Sequence, residues 1–384
     1  MAARILHIID HLGLGGAQTV VKGIFQQQAH NDNIFLFALR KREITINIYH
    51  KNVIYANTTA KYSFAPLKEL HALILKHHIN ILHCHLFRSQ IFGTILKALF
   101  FPNICLILHE QGMIMGSDTQ NFLEDFCYRN FIRLTTQKVN RYIAASQAIR
   151  ENLIRKAHVP IKKICLLQNF VDLQQFNPKA RISIEIEREK NLLGIQHHDF
   201  VVGFAGRIVQ RKGWREYLEA AKIVAQTVSN IKFLISGDGK EKQQLLSLIQ
   251  VSKLQKSVLF LGYIENMLLF YSYLDCYVMP SYWEGLSLTQ LEVMALGIPL
   301  ITSDGPGMNE IPRRDVDALF CEVKNSEELA ENIIKIYYDK ELQDYLRQNS
   351  LNRVKTYSLE NFLTKLNMLY AKCLRETELS FDND

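Results

Sequence analysis

The chain has 384 residues, too many for one core and suited to two domains, and its 48% apolar and 22% charged residues describe an ordinary globular protein. Seven dispersed cysteines without a CxxC pair exclude a disulfide framework and fit a reducing compartment. The net charge of +7 is uneven, with 20 basic against 10 acidic residues through position 175 and 25 against 28 beyond it. Either an anionic partner of the first half or a solvated surface of mixed sign accounts for that imbalance.

The opening MAARILHIID holds an apolar run too short for a signal peptide and reads as a first strand. The loop HLGLGGAQTVV follows it and opens a helix. Gly13, Gly15 and Gly16 let the backbone approach a ligand and aim amides at a phosphate, or they simply make a tight turn. A nicotinamide fingerprint fails twice here. Gln18 occupies the last position of GxGxxG/A, and the second strand, IFLFAL, runs into Leu39–Arg40 with no acid for a ribose. A helix, PLKELHALILKHH, leads to the strand INILHCH, where His83 and His85 share a face. No further ligand set has matching spacing, so zinc is not expected there; one of the two histidines is a candidate for lining an acceptor cleft. The segment LFRSQIFGTILKALFFP combines apolar residues with Arg88 and Lys97, and packing between sheet and helix is favoured over rest on an acidic membrane. Lys97 and Pro102 interrupt the longest apolar region, which excludes a transmembrane helix. ICLILH ends at His109, and RYIAAS, SQAIRENLIRKA and KICLLQ complete the first series.

The polar stretch from NFVDLQQFNPK to GIQHHD carries Pro178 and lacks a strand pattern. It marks an interdomain linker over 176–198, between an acceptor-side domain over 1–175 and a second domain over 199–355. In that second domain FVVGFAG, IKFLISG, SVLFLG, DCYVMPS and IPLIT alternate with helices. Continuous apolar strands alternating with helices predict parallel sheets covered on both faces, hence an α/β architecture of two Rossmann-like domains facing a cleft. After DALFCEVKN only helical patterns remain. The closing helix, over 356–384, has Leu359, Phe362, Leu363, Leu366, Leu369 and Tyr370 in an apolar stripe and is expected to cross back to the first domain, with ELSFDND frayed.

The chemistry-bearing motifs lie at the strand ends of the second series. In GFAGRIVQRKG, Arg207 sits just past the strand and Lys212 beside Gly213, where two cations can clamp a diphosphate. Arg211 and Arg215 are expected to face solvent. ISGDG places Gly237 on a neighbouring loop and Asp238 as a helix N-cap. In LFLGYIEN, Gly262 and Tyr263 either support a base or form a plain turn. SYWEGLSLTQLEVMALGIPLIT puts Glu284 on a sheet-edge loop and Glu292 about two turns into a helix closed by Gly297 before Pro299. A carboxylate accepts hydrogen bonds from adjacent hydroxyls, so the pair suits a sugar at one end and a ribose at the other. The alternatives are a glycoside-hydrolysing acid–base pair and a salt bridge from Glu292 to Arg207 or Lys212.

Together GLGGAQ, LLQNFVDLQQFNP, GFAGRIVQRKG, ISGDG and PSYWEGLSLTQLEVMALGIPLITS resemble the retaining glycosyltransferases of family 4, with the GT-B fold. The resemblance implies that Arg207 and Lys212 bind the donor diphosphate, Glu284 contacts the transferred sugar and Glu292 binds the ribose. It further implies diphosphate contact by Gly15 and Gly16, backbone contacts from Leu286, Ser287, Leu288 and Thr289, and a sugar-side role for His109; Gly237 and Tyr263 border the same donor site. The implied reaction moves a sugar from a nucleotide diphosphate sugar, UDP-linked before GDP-linked, to a glycan or lipid-linked hydroxyl in surface polysaccharide or lipopolysaccharide synthesis. No cofactor or metal is required, since protein cations take the metal's role, and nucleic acid is not a partner because no recognition module appears. The implied location is cytoplasmic, with peripheral contact at the acidic inner-membrane surface. A nucleotide-sugar epimerase, a silent nucleotide-sugar-binding protein and a membrane scaffold are the rival readings. One departure stands out: the family's Asn-Gly-Val-Asp reads NFVD here, and Phe170 would be strained if that position needs a positive φ.

Overall fold

The computed structural model describes residues 2–13, 15–28, 30–42, 48–112, 122–181 and 184–379. Chain contacts divide it into two units, Met1–Phe170 with Leu359–Asp384, and Val171–Ser358. Unit 1 begins with β1 (Ile5–Ile9), α1 (Gly16–Gln28), β2 (Ile34–Ala38), β3 (Val53–Tyr55), α2 (Pro66–His77) and β4 (Ile81–His85). It continues with α3 (Phe87–Leu99), β5 (Cys105–Glu110), α4 (Phe122–Thr135), β6 (Arg141–Ala144), α5 (Gln147–Ala157) and β7 (Ile164–Leu166). Unit 2 runs through α6 (Ile184–Leu192), β8 (Phe200–Ala205), α7 (Trp214–Thr227), β9 (Ile231–Ser236), α8 (Lys242–Val251) and β10 (Val258–Gly262). Then come α9 (Met267–Ser272), β11 (Cys276–Met279), α10 (Leu288–Ala295), β12 (Leu300–Ser303), β13 (Leu319–Cys321), α11 (Ser326–Tyr338) and α12 (Lys340–Val354). The final helix, α13 (Leu359–Leu379), returns to unit 1.

Each unit holds one parallel sheet. The order is β3-β2-β1-β4-β5-β6-β7 in unit 1 and β10-β9-β8-β11-β12-β13 in unit 2. In unit 1, β1 and β5 are buried along every residue, as helices on both faces require, which is why ILHII and CLILHE read as near-continuous apolar runs. In both sheets the strand order reverses once, between β1 and β4 and between β8 and β11. At such a reversal the connections leave in opposite directions and open a crevice at the carboxyl ends of the strands.

One face of the first sheet packs Leu6, Ile8, Leu82, Cys84, Leu106 and Leu108 into a continuous core. The opposite face bears His7, His83, His85 and His109, and α13 packs toward it through the buried Leu366, Tyr370 and Cys373. The segment 176–198, expected as a linker, belongs instead to unit 2, because Phe176, Ile186 and Ile195 are anchored in that unit's core. The unit boundary accordingly falls at Phe170/Val171 rather than at 175. Helix α3 buries Phe92, Gly93, Thr94 and Leu96. Its cations do not form a surface: Lys97 donates to the Ile104 carbonyl at 2.7 Å, and Arg88 pairs with Asp10 at 2.9 Å. Among the described residues no helix is long and apolar enough to cross a membrane. Ser380–Asp384, expected to fray, lie outside the described residues.

Phe170 carries no strain, for it is not among the non-glycine residues with positive φ. Its ring is buried, packs tilted against Phe362 of α13 at a centroid distance of 4.7 Å, and lies 2.8 Å from where a Cβ on Gly23 would stand. The Phe170 ring therefore needs the glycine at 23, and one aromatic ring joins α1 to α13. Phe170→Gly should destabilise unit 1 by about 3–5 kcal/mol through the cavity it leaves. Gly23→Ala should cost about 1–3 kcal/mol through overpacking. Urea unfolding followed by hydrogen exchange in β1 and α13 measures both.

Candidate active site

The loops after β8 and β11 are brought side by side by the strand-order reversal of the second sheet, and glycines let them touch. Gly213 has φ +71°, and a Cβ there would lie 2.0 Å from the Pro280 carbonyl oxygen at the exit of β11. Only glycine permits that approach. The contact delivers Lys212 to Glu284, Nζ to Oε1 2.5 Å, with both side chains mostly buried. Arg211 reaches the other oxygen, Nη1 to Oε2 3.4 Å, and its guanidinium stacks 4.5 Å above the Trp283 ring. Glu284 is fixed from behind as well: its N–H donates to the Pro306 carbonyl at 3.0 Å. Arg211, expected in solvent, is therefore part of the site, because the cation–π contact with Trp283 and the buried Glu284 carboxylate hold it inward. Arg207 is exposed on the same loop. Arg215 is half-exposed, pairing with Glu241 at 3.9 Å and stacking 4.2 Å from Trp214.

Ser287 caps α10 by accepting from the Gln290 N–H at 3.3 Å, and Gln290 donates to Thr302 at 3.0 Å and to the Met308 carbonyl at 2.9 Å. These bonds seat the helix on β12. Leu286 and Ser287 are buried while Leu288 and Thr289 are partly exposed at its first turn. Glu292 accepts a 2.7 Å hydrogen bond from the Tyr271 hydroxyl of α9 and meets neither Arg207 nor Lys212, which removes the proposed salt bridge. The two carboxyls are pushed apart electrostatically. Burial raises the pKa of Glu292, and the Tyr271 bond only partly offsets it. Burial acts the same way on Glu284, but the charges of Lys212 and Arg211 outweigh it and hold that carboxyl below its usual value.

Gly237 packs against the loop after β8, since a Cβ there would meet the Gly206 carbonyl oxygen at 1.9 Å. Its N–H donates to the Gly262 carbonyl at 2.8 Å, which stations the half-exposed Tyr263 at the next strand end. Asp238 is not the cap of α8. Its carboxylate accepts from the Gly239 N–H, and the N-cap position belongs to Glu241, whose side chain instead accepts from Trp214 at 2.9 Å.

In unit 1, Gly15 and Gly16 lie at the start of α1, and the Gln18 side chain folds over the loop, with Oε1 2.5 Å from where a Gly15 Cβ would stand. Arg40 binds Asp10 at 2.6 Å and Arg88 adds a bond at 2.9 Å, an ion triad that the sequence reading missed. His83 and His85 are fully buried, so neither lines an open surface of the unit, and His109 is 1% exposed with no partner on either ring nitrogen among the described residues. Glu110, next to it, accepts from Gln90 at 2.8 Å and from Tyr128, while burial pushes its pKa up to about 7. Arg211, Tyr271 and the Asp10 triad had no local signal, because their partners are remote in sequence.

Comparison with known proteins gives this geometry a setting. Residues 14–175 match the model described as Glycosyltransferase Family 4, and residues 185–353 that described as Glycosyl transferases group 1. The chain is 25% identical over 308 residues to the UDP-Gal:alpha-D-GlcNAc-diphosphoundecaprenol alpha-1,3-galactosyltransferase of Escherichia coli, covering 79% of this chain and 78% of that one. It is 25% identical to the capsular polysaccharide biosynthesis glycosyltransferase CapM of Staphylococcus aureus, over 65% of this chain and 68% of the other. Among solved structures, Alr3699/HepE of Anabaena in complex with UDP and glucose superposes with a TM-score of 0.78 at 19% identity, covering 96% of this chain and all of that one.

Glu110 makes unit 1 sensitive to pH. Its folded pKa of about 7 stands above the ordinary 4.5, so its contribution to stability is fully present below about 4.5 and is lost as pH rises through 7. Glu110→Gln should flatten that slope and stabilise unit 1 above pH 7 by about 3 kcal/mol. Denaturant midpoints between pH 4 and 8 test this; an unchanged slope in the variant would refute it.

Proposed function

Because the chain belongs to the glycosyl transferases of group 1 and family 4, with the GT-B fold, we propose that it transfers a sugar from a UDP-sugar to a lipid-linked glycan hydroxyl with retention of anomeric configuration. The observation that carries this reading is the Lys212–Glu284–Arg211 cluster at the β8/β11 reversal, with Glu292 about one turn along α10. A diphosphate at that edge meets Lys212, Arg207 and the first amides of α10, which together stabilise the charge that develops on it. Glu284, kept ionised by its two cations, is placed for sugar hydroxyls. Glu292, deeper along the helix and braced by Tyr271, is placed for the ribose.

The step balances without a protein nucleophile. The bond from the anomeric carbon to the diphosphate oxygen breaks as the acceptor oxygen bonds the same carbon on the same face. The acceptor's proton passes to the departing phosphate oxygen. Protein cations take the role a metal would have in this transfer. The UDP-Gal donor in the Escherichia coli relative's name supports UDP, and the capsular relative's name supports a step in surface-polysaccharide assembly. The excess of base through residue 175 suits an acceptor or an inner-membrane leaflet carrying negative charge.

Calorimetry and turnover separate these assignments. Glu292→Ala should weaken UDP binding by about 10- to 100-fold, the worth of a buried charge-assisted hydrogen bond. Glu284→Ala should leave UDP binding within a few-fold and abolish transfer. Lys212→Ala should lower kcat by about 10²–10³-fold with the thermal transition retained. Unaltered UDP affinity in Glu292→Ala removes the ribose assignment, and a product of inverted configuration by NMR removes retention. Donor isomerised without acceptor would identify an epimerase.

A further inference from the structure

The carboxyl ends of β1, β2 and β4 bring charged side chains together at the strand-order reversal of the first sheet. Asp10 follows β1, Arg40 follows β2, and Arg88 lies in the first turn of α3 after β4. Arg40 gives Nε and Nη2 to Asp10, with Nη2 to Oδ2 at 2.6 Å, and its Nη1 has no hydrogen bond among the described residues. Arg88 gives Nη1 to the other carboxylate oxygen at 2.9 Å and Nη2 to the Ser63 carbonyl at 2.7 Å. The turn that delivers Arg88 is strained: Leu86 has φ +70° and ψ 153°, which costs a non-glycine residue about 1–3 kcal/mol. Arg42 reaches the same place, for a Cβ on Gly13 would lie 2.9 Å from His11 Nδ1 and 3.3 Å from Arg42 Cδ. Arg42 is exposed and has no ion pair among the described residues.

We infer that Arg40, Arg42 and Arg88 form a phosphoryl-binding subsite of unit 1 that holds the acidic group of the sugar acceptor, with Asp10 positioning two of the three. Naming the acceptor as the bearer of that group rests on the sugar-transfer reading; the subsite itself does not. One carboxylate balances one cation, so three guanidiniums around Asp10 leave positive charge over. His11 registers the excess. Its Nε2 lies 3.8 Å from Asp10 Oδ2, a place that ordinarily favours the protonated ring. Burial nevertheless lowers its pKa to about 4, Arg42 pushes the same way, and Asp10 offsets only part of this. The field beside the carboxylate is therefore positive and suits an anion. Asp10 is not available as a base: burial raises its pKa, but the bonds from Arg40 and Arg88 outweigh that and keep it ionised. Arg40 offers Nη1 and Arg42 its whole fork, so a phosphate gains two or three charge-assisted hydrogen bonds without displacing Asp10. The side chains of Arg40 and Arg88 are only 10% and 15% exposed. A group projecting from a chain, such as the diphosphate of a lipid-linked sugar, reaches them, whereas a flat leaflet of headgroups does not. The subsite also gives part of the basic surplus through residue 175 a definite place.

The test is calorimetry on the full chain with UDP at saturation, so that the donor's own diphosphate position is filled. Inorganic pyrophosphate should bind at one further site, more weakly as salt is raised. Arg42→Gln and Arg40→Gln should each lower pyrophosphate affinity by about 10- to 100-fold, the worth of charge-assisted hydrogen bonds, with UDP affinity held within about 2-fold. In turnover with a diphospholipid-linked sugar, Arg42→Gln should raise KM for the acceptor and leave KM for the donor unchanged. Because Arg42 is exposed, that variant carries the test if loss of Arg40 prevents folding. Absence of pyrophosphate binding beside UDP overturns the inference, as does equal binding by Arg42→Gln and the unmodified chain. A parallel loss of UDP affinity overturns it too, since the subsite would then belong to the donor. Arg42-dependent pyrophosphate binding by a chain that transfers no sugar keeps the subsite and removes the sugar-transfer reading instead.

Discussion

The arrangement of unit 2 depends on one contact: the close passage of Gly213 beneath the Pro280 carbonyl. Parallel strands whose order reverses leave a crevice between two connections, but a crevice alone brings no side chains together. Here the missing Cβ lets the loops after β8 and β11 meet, and Lys212 is carried within 2.5 Å of Glu284. The ion pair that results is mostly shielded from water, which strengthens the attraction and also makes each partner costly to leave alone. Arg211 and the Pro306 carbonyl then hold the same residue from two further directions.

That shielding gives two glutamates of one short segment opposite electrostatic behaviour. Glu284 meets two cations, and the favourable charge interactions exceed the burial penalty. Glu292 meets a phenol, which donates one hydrogen bond but no charge, so burial prevails. Separation of neighbouring carboxyls by environment is how a site gives two chemically identical groups different tasks. Glu284 is engaged by two cations, and Glu292 on α10 is braced by a phenol.

Most of this architecture was legible in sequence because its signals are local. Unbroken runs such as ILHII and FVVGFA declare central parallel strands, and GLGG, GRIVQRKG and the two glutamates sit at the ends of such runs. What escaped notice depends on register and packing. Arg211 looked like a surface charge because nothing in QRKG shows that Trp283, 72 residues later, lies beneath it. The 176–198 segment looked like a linker because its apolar anchors, Phe176, Ile186 and Ile195, are too widely spaced to form a periodic pattern. Phe170 looked like a strained replacement, yet its room was provided by a glycine on a different helix. Complementary volumes of that kind have no sequence signature within one chain.

Unit 1 shows the same physics from its other side. Polar residues crowd the carboxyl half of its sheet, where an apolar interior would have been cheaper, and most are answered by partners from neighbouring elements. Asp10 has Arg40 and Arg88, and Glu110 has Gln90 and Tyr128. The histidine face departs from that rule, with Tyr370 supplying its one hydrogen bond from outside the cluster among the described residues. There His7, His83, His85 and His109 all keep ring nitrogens without a partner among the described residues, a local cost of a few kcal/mol. The two units thus handle buried polarity differently: unit 2 pairs its charges at the ends of β8 and β11, and unit 1 keeps uncharged rings on one buried face of its sheet.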